Sequence, residues 1–193
     1  MATLSWEGPV GPGTFPDDAL LFERIDEGGV YLRVKIYDGG RTVAYAGQSV
    51  SLLARFDQHL TAMLSLAAPL RDASGAVVYR GDAGSRLAAY GNLREAASLA
   101  AEDAARVRFY YAMCDSYFHL EHLNLVEGLL QRRLIERLAD VENAKAAPGA
   151  IPDDCPDTWE NDFSALGADG RDLLERLLGD TPLRLMTADS DAV

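Results

Sequence analysis

A chain of 193 residues is the size of one domain and can bury a core without disulfide staples. Its 48% hydrophobic content excludes general disorder, and no apolar run approaches the roughly 20 residues that cross a bilayer. The net charge of −12 argues against a broad nucleic-acid-binding surface, but the excess is concentrated: from Asp153 onward eleven acids face three arginines, which leaves room for a near-neutral body with a local basic patch.

Residues 1–18 carry Pro9, Gly11, Pro12, Gly13 and Pro16 and read as an irregular lead-in. In Gly29 to Tyr37, Val30, Leu32, Val34 and Ile36 alternate with Tyr31, Arg33, Lys35 and Tyr37, the period-two pattern of a strand with one buried face. Asp38-Gly39-Gly40 is turn chemistry, and Thr42 to Ala46 returns as the second arm of a hairpin that Gly47 ends. Ser49 or Ser51 is positioned to cap a helix whose stripe is Leu53, Phe56, Leu60 and Met63. Arg55 and His59, four apart, share a face that this stripe turns away from the core. Residues 71–84 read as a loop with a short ribbon at Ala76–Tyr79, and 85–105 as helical. A third strand is expected at Arg106 to Cys114, then a long helix from about Tyr117 to Val141.

The expected fold is α+β: a small three-stranded antiparallel or mixed sheet flanked by helices. The expected organisation is a lead-in (1–18), a body (19–148) with an inserted helical segment at about 71–105, and an acidic, loop-rich tail (149–193) with one short helix. Met1 to Gly13 shows no basic stretch followed by an apolar one, so no signal peptide is expected. Cys114 and Cys155 are too few and too far apart for a Cys-ligated zinc site; a disulfide between them stays open, and a reduced cytoplasm is the simpler expectation.

Glu127 is the residue that asks for chemistry. Leu120, Leu123, Leu130, Leu134, Leu138 and Val141 form the stripe of the long helix, and at about 100° per residue Glu127 falls inside it. A carboxylate there needs a cation, a hydrogen-bond partner or a metal. A buried Arg–Glu pair and a cleft at the sheet edge both satisfy the pattern. His119 and His122 lack a HExxH context and read as surface histidines, and Tyr110, Tyr111 and Tyr117 as core and rim aromatics. No phosphate-cradling glycine loop and no nucleophile elbow is present.

The hairpin and first helix resemble the GIY-YIG nuclease family. Its first motif reads as Gly29-Val30-Tyr31 and its second as Tyr45-Ala46-Gly47, followed by Gln48 and Ser49; Arg55 lies eight residues past Gly47, with His59 one turn further. Glu127 stands where the family carries its metal-binding Glu on a later helix. The resemblance covers roughly residues 28–143. Two departures stand out: Asn143 lies where a family Asn is expected but lacks a neighbouring Pro and aromatic, with Asn161 much further on, and the stretch from His59 to Glu127 is longer than in minimal members.

The resemblance implies a metal-dependent endonuclease acting on DNA. Glu127 would hold one Mg²⁺ or Mn²⁺, Arg55 would stabilise phosphate charge, and Tyr31, with a lowered pKa, would act as general base. Tyr45 and His59 would orient water and phosphate, while Gly47, Gln48, Ser49 and Asn143 would contact substrate. No membrane partner is expected, and a homodimer or additional subunit would extend the recognition surface. An alternative is a catalytically inactive nucleic-acid- or protein-binding module on the same scaffold. A tail docked on the domain's own basic patch or on a partner would regulate access, so that truncation after Val141 to Pro148 would raise activity or DNA affinity.

Overall fold

The computed structural model describes residues 1–15, 27–138, 140–143, 151–153 and 155–185. Residues 16–18 of the expected lead-in and 144–148 at the expected domain boundary lie outside these. Strands β1 (Ala2–Val10), β2 (Gly29–Ile36), β3 (Thr42–Ser49), β6 (Val107–Met113), β7 (Thr158–Asp162) and β8 (Leu183–Arg184) form one sheet in the order β3-β2-β6-β1-β7-β8. Among the described strands of this sheet, β1 and β7 pair in parallel and the other neighbours antiparallel. A separate ribbon joins β4 (Leu70–Arg71) to β5 (Val77–Tyr79), and the helices are α1 (Leu52–Leu64), α2 (Ala83–Ala89), α3 (Leu93–Ala105), α4 (Leu123–Arg137) and α5 (Ala168–Leu178). None of the described helices is long and apolar enough to cross a membrane.

The fold is α+β, but the sheet has six strands rather than three. The lead-in is where the expectation fails. Ala2, Leu4 and Trp6 are buried and alternate with Thr3 and Ser5, so residues 2–10 form a strand between β6 and β7 despite their Gly and Pro content. The tail also enters the sheet. Trp159 on β7 is fully buried, and Leu173, Leu174, Leu177 and Leu178 line the inner face of α5.

Two cores cover the two faces of the sheet. On one, Val30, Leu32, Ala44, Ala46 and Trp6 meet α4 and α5. On the other, Tyr31, Phe109 and Tyr111 meet α1 and α3. The period-two pattern of β2 therefore marks two apolar environments rather than one buried and one wet face: Tyr31 is as buried as Val30, and even Lys35 is 2% exposed.

The long helix is shorter than its leucine pattern. Leu120 belongs to a short 3₁₀ turn and is exposed, α4 begins at Leu123, and Val141 is extended against β3. His122 is buried, not a surface histidine; its Nδ1 accepts from the His119 backbone N–H at 3.1 Å, while His119 is exposed. Cys114 and Cys155 are both free.

Candidate active site

The two arms of the β2–β3 hairpin place Tyr31 opposite Gly47 and Arg33 opposite Tyr45. The glycine is required by space: a Cβ at position 47 would stand 2.4 Å from the Tyr31 hydroxyl oxygen and 2.7 Å from Tyr45 Cε1. Gly29 is required in the same way, because its Cβ would stand 2.4 Å from the carbonyl oxygen of Ala112 on β6. The Tyr31 and Tyr45 rings stack with centroids 6.0 Å apart.

Helix α1 begins beside this pair because Ser51 caps it, its Oγ accepting from the Ala54 N–H at 3.3 Å. Ser49 instead bonds within the turn, donating to the Ser51 carbonyl at 2.7 Å. Leu52, Phe56 and Met63 are the buried residues of α1. Their spacing brings His59 onto the same side, against the rings of Tyr31, Tyr45 and Phe109. The expectation that Arg55 and His59 turn from the core is thereby corrected: the stripe facing the sheet is 52/56/59/63, and Leu53 and Leu60 are only partly buried.

Hydrogen bonds fix the polarity of this group. Arg33 NH1 lies 2.8 Å from His59 Nδ1, and Tyr31 Oη lies 2.6 Å from His59 Nε2. Arginine only donates, so Nδ1 is the acceptor and the neutral imidazole carries its proton on Nε2, which donates to Tyr31. Arg55 Nε donates to the same phenolic oxygen at 3.2 Å. Burial, then Arg33, Arg55 and Lys35, push the His59 pKa down to about 3, which keeps the ring neutral. Burial raises the pKa of Tyr31, while the hydrogen bond from Arg55 opposes it. The lowered phenol pKa expected from the sequence is thus not a property of the resting site: desolvation outweighs the arginines.

Tyr31, Tyr45, Arg55 and His59 are brought together by these contacts; Glu127 comes from a different element. It is half-buried on α4, the helix that packs on the other face of the sheet, and it accepts from Gln131 Nε2 at 3.2 Å. One turn earlier on the same helix face, Asn124 Oδ1 accepts from Gln48 Nε2 at 3.2 Å, so this face of α4 meets β3 just beyond Gly47. Asn143 reaches the outer edge of the same strand. Its Oδ1 accepts from the Ala46 N–H at 3.2 Å and its Nδ2 donates to the Ala46 carbonyl, fixing the backbone between Tyr45 and Gly47. Asn161 serves elsewhere, accepting from Trp6 Nε1 at 2.9 Å.

Several polar residues of the site gave no sequence signal. Arg33 and Arg71 both hold the Glu142 carboxylate, and Lys35 pairs with Asp103 at 2.8 Å in full burial. These partners lie 68 to 109 residues apart along the chain, so no local spacing marks them. Among the described residues no group of three or more His, Cys, Asp or Glu is arranged to hold a metal ion.

No protein-family model, curated protein or solved structure matches this chain. The class defined by fold and site is an α+β protein with a buried Tyr–His–Arg cluster on one sheet face.

Proposed function

We propose that the chain is a metal-dependent endonuclease hydrolysing phosphodiester bonds in DNA, with Tyr31 as its general base. The observation that carries this reading is the Tyr31 hydroxyl oxygen, which accepts from both His59 Nε2 and Arg55 Nε. Two donors on one phenolic oxygen leave its own proton directed elsewhere and favour the phenolate once a further positive charge arrives. Arg55 offers a guanidinium beside that oxygen for the charge that builds on a phosphate under attack. Tyr45, stacked on Tyr31, adds a second phenol at the rim. Glu127 is the residue that would hold Mg²⁺ or Mn²⁺, and such an ion would supply Lewis acidity to the phosphoryl oxygens. Neutral His59 acts by position: it transmits the direction set by Arg33 and orients the phenol.

Supercoiled plasmid incubated with the protein and Mg²⁺ or Mn²⁺, beside Glu127→Ala and an EDTA control, tests the proposal. Nicking or linearisation that requires both metal and Glu127 supports it. Equal cutting by the folded variant removes the metal assignment, and no cutting by any folded protein removes the nuclease reading.

A further inference from the structure

A second group of cations adjoins the Tyr31–His59 pair. Arg33 and Arg71 converge on the carboxylate of Glu142, Arg33 through NH2 and Arg71 through Nε at 3.2 Å. The three side chains are sheltered, at 11%, 12% and 18% exposure. They line, together with Lys35, Arg80 and Tyr45, an open cleft of about 490 Å³. Lys35 is already paired with Asp103, which leaves three arginines facing one acid. Burial raises the pKa of Glu142, yet Arg33, Lys35 and Arg71 together hold it below the usual carboxylate value.

Two details distinguish this cluster from a closed structural ion pair. Arg33 Nε is buried with no hydrogen-bond partner among the described residues, so the guanidinium has a donor to spare. Glu142 is also delivered by a short strap rather than by a packed helix. The strap runs along β3, with the Ala44 N–H donating to the Asp140 carbonyl at 3.1 Å, the Glu142 N–H donating to the Ala44 carbonyl at 2.9 Å, and Asn143 fixed on Ala46. These two backbone bonds and the Asn143 side chain hold the strap without any help from the Glu142 carboxylate. Converging guanidinium groups fit the oxygens of a phosphate as well as those of a carboxylate.

We infer that Arg33 and Arg71 form a phosphate subsite for the polynucleotide backbone beside the reacting bond, and that Glu142 fills it as an internal anion which substrate displaces. The inference rests on the nuclease reading for the identity of the polyanion, but its test requires no cleavage. A short DNA duplex in EDTA is titrated by fluorescence anisotropy over a salt series, with circular dichroism confirming that each protein is folded. Glu142→Gln is expected to bind about tenfold more tightly, with a salt slope steeper by about one. Arg71→Gln is expected to bind more weakly, with a slope flatter by about one. Glu160→Gln, an exposed change of the same charge on β7, controls for net charge and should alter neither.

Equal affinities for Glu142→Gln and Glu160→Gln overturn the subsite, as does an unchanged slope for folded Arg71→Gln or a lack of binding by every folded protein. Plasmid cutting by the parent combined with equal affinities removes the subsite and leaves the nuclease reading. Tighter binding by Glu142→Gln with no cutting under either metal does the reverse.

Discussion

Arg33 NH1 lies 2.8 Å from His59 Nδ1, and this one contact sets the direction of the hydrogen bond between His59 and Tyr31. Because arginine cannot accept, the imidazole proton is placed on Nε2, facing the Tyr31 hydroxyl 2.6 Å away. Protonating Nδ1 would set two donors against each other, so the tautomer is fixed by geometry as well as by the depressed pKa. Arg33 is itself braced by Glu142 and lies over the Tyr45 ring, 5.0 Å from its centroid. A phenol on β2, a histidine on α1 and a carboxylate on the strap beside β3 therefore act as one chain of contacts.

The state of His59 carries a pH signature. Its pKa in the fold is pushed down to about 3, while an unfolded histidine titrates near 6.5. Between those values the unfolded chain binds a proton that the fold refuses, so the stability contribution is full above about pH 6.5 and is lost as pH falls toward 3. Urea unfolding from pH 7 to pH 4 should show the parent losing stability more steeply than His59→Gln. Parallel profiles for the two proteins would contradict the neutral, buried assignment.

The buried pair beneath the cleft predicts a large structural cost. Asp103 accepts from Lys35 Nζ at 2.8 Å, from the Tyr37 hydroxyl at 2.6 Å and from the Arg71 N–H at 3.2 Å. Asp103→Ala strands all three donors at once and is expected to destabilise by about 3–5 kcal/mol. Adding Lys35→Met should recover a substantial part of that loss, because it removes the uncompensated charge. Chemical denaturation of the single and double variants checks this, and a loss below about 1 kcal/mol for Asp103→Ala would refute it.

The C-terminal segment is predicted to be part of the folding unit. Trp159 on β7 is fully buried in the core that includes Leu174 and Leu178, so Trp159→Ala should cost about 3–5 kcal/mol. A chain ending before Ile151 would lose β7, β8 and α5 and expose the core face that Leu174 and Leu178 cover. Circular dichroism and thermal melting should find it unfolded. A well-folded truncated protein with raised activity would restore the picture of a detachable regulatory tail.

Local sequence carries short-range signals, and the fold divides accordingly. The β2–β3 hairpin, the extended segment of β5 and β6 were legible because alternation and turn glycines are short-range signals, whereas β4, two residues long, was not. Tyr31, Tyr45, Arg55 and His59 were legible as a set through motif spacing. Strand β1 was missed because Pro9, Gly11 and Pro12 outweighed the alternation of Ala2, Leu4 and Trp6. Strand β7 was missed because Trp159 stands among acids and has no apolar neighbours in the chain to mark a period. Glu142, Arg33, Arg71 and Asp103 were invisible as partners, since long-range ion pairs follow from topology and the topology needed the two missed strands. The extent of α4 was overestimated because Leu120 and Val141 keep the leucine period after the backbone has left the helix.

The most direct test of the central claim is the single-turnover cleavage rate of Tyr31→Phe beside the parent, at saturating protein with Mg²⁺ or Mn²⁺. Phenylalanine keeps the ring contacts to Tyr45, Phe56 and Phe109 and deletes only the oxygen that His59 and Arg55 address. If Tyr31 is the general base, duplex affinity is retained and the cleavage rate falls by about a hundredfold or more. A folded Tyr31→Phe protein that cuts at the parent rate would show that the hydroxyl is not the proton acceptor.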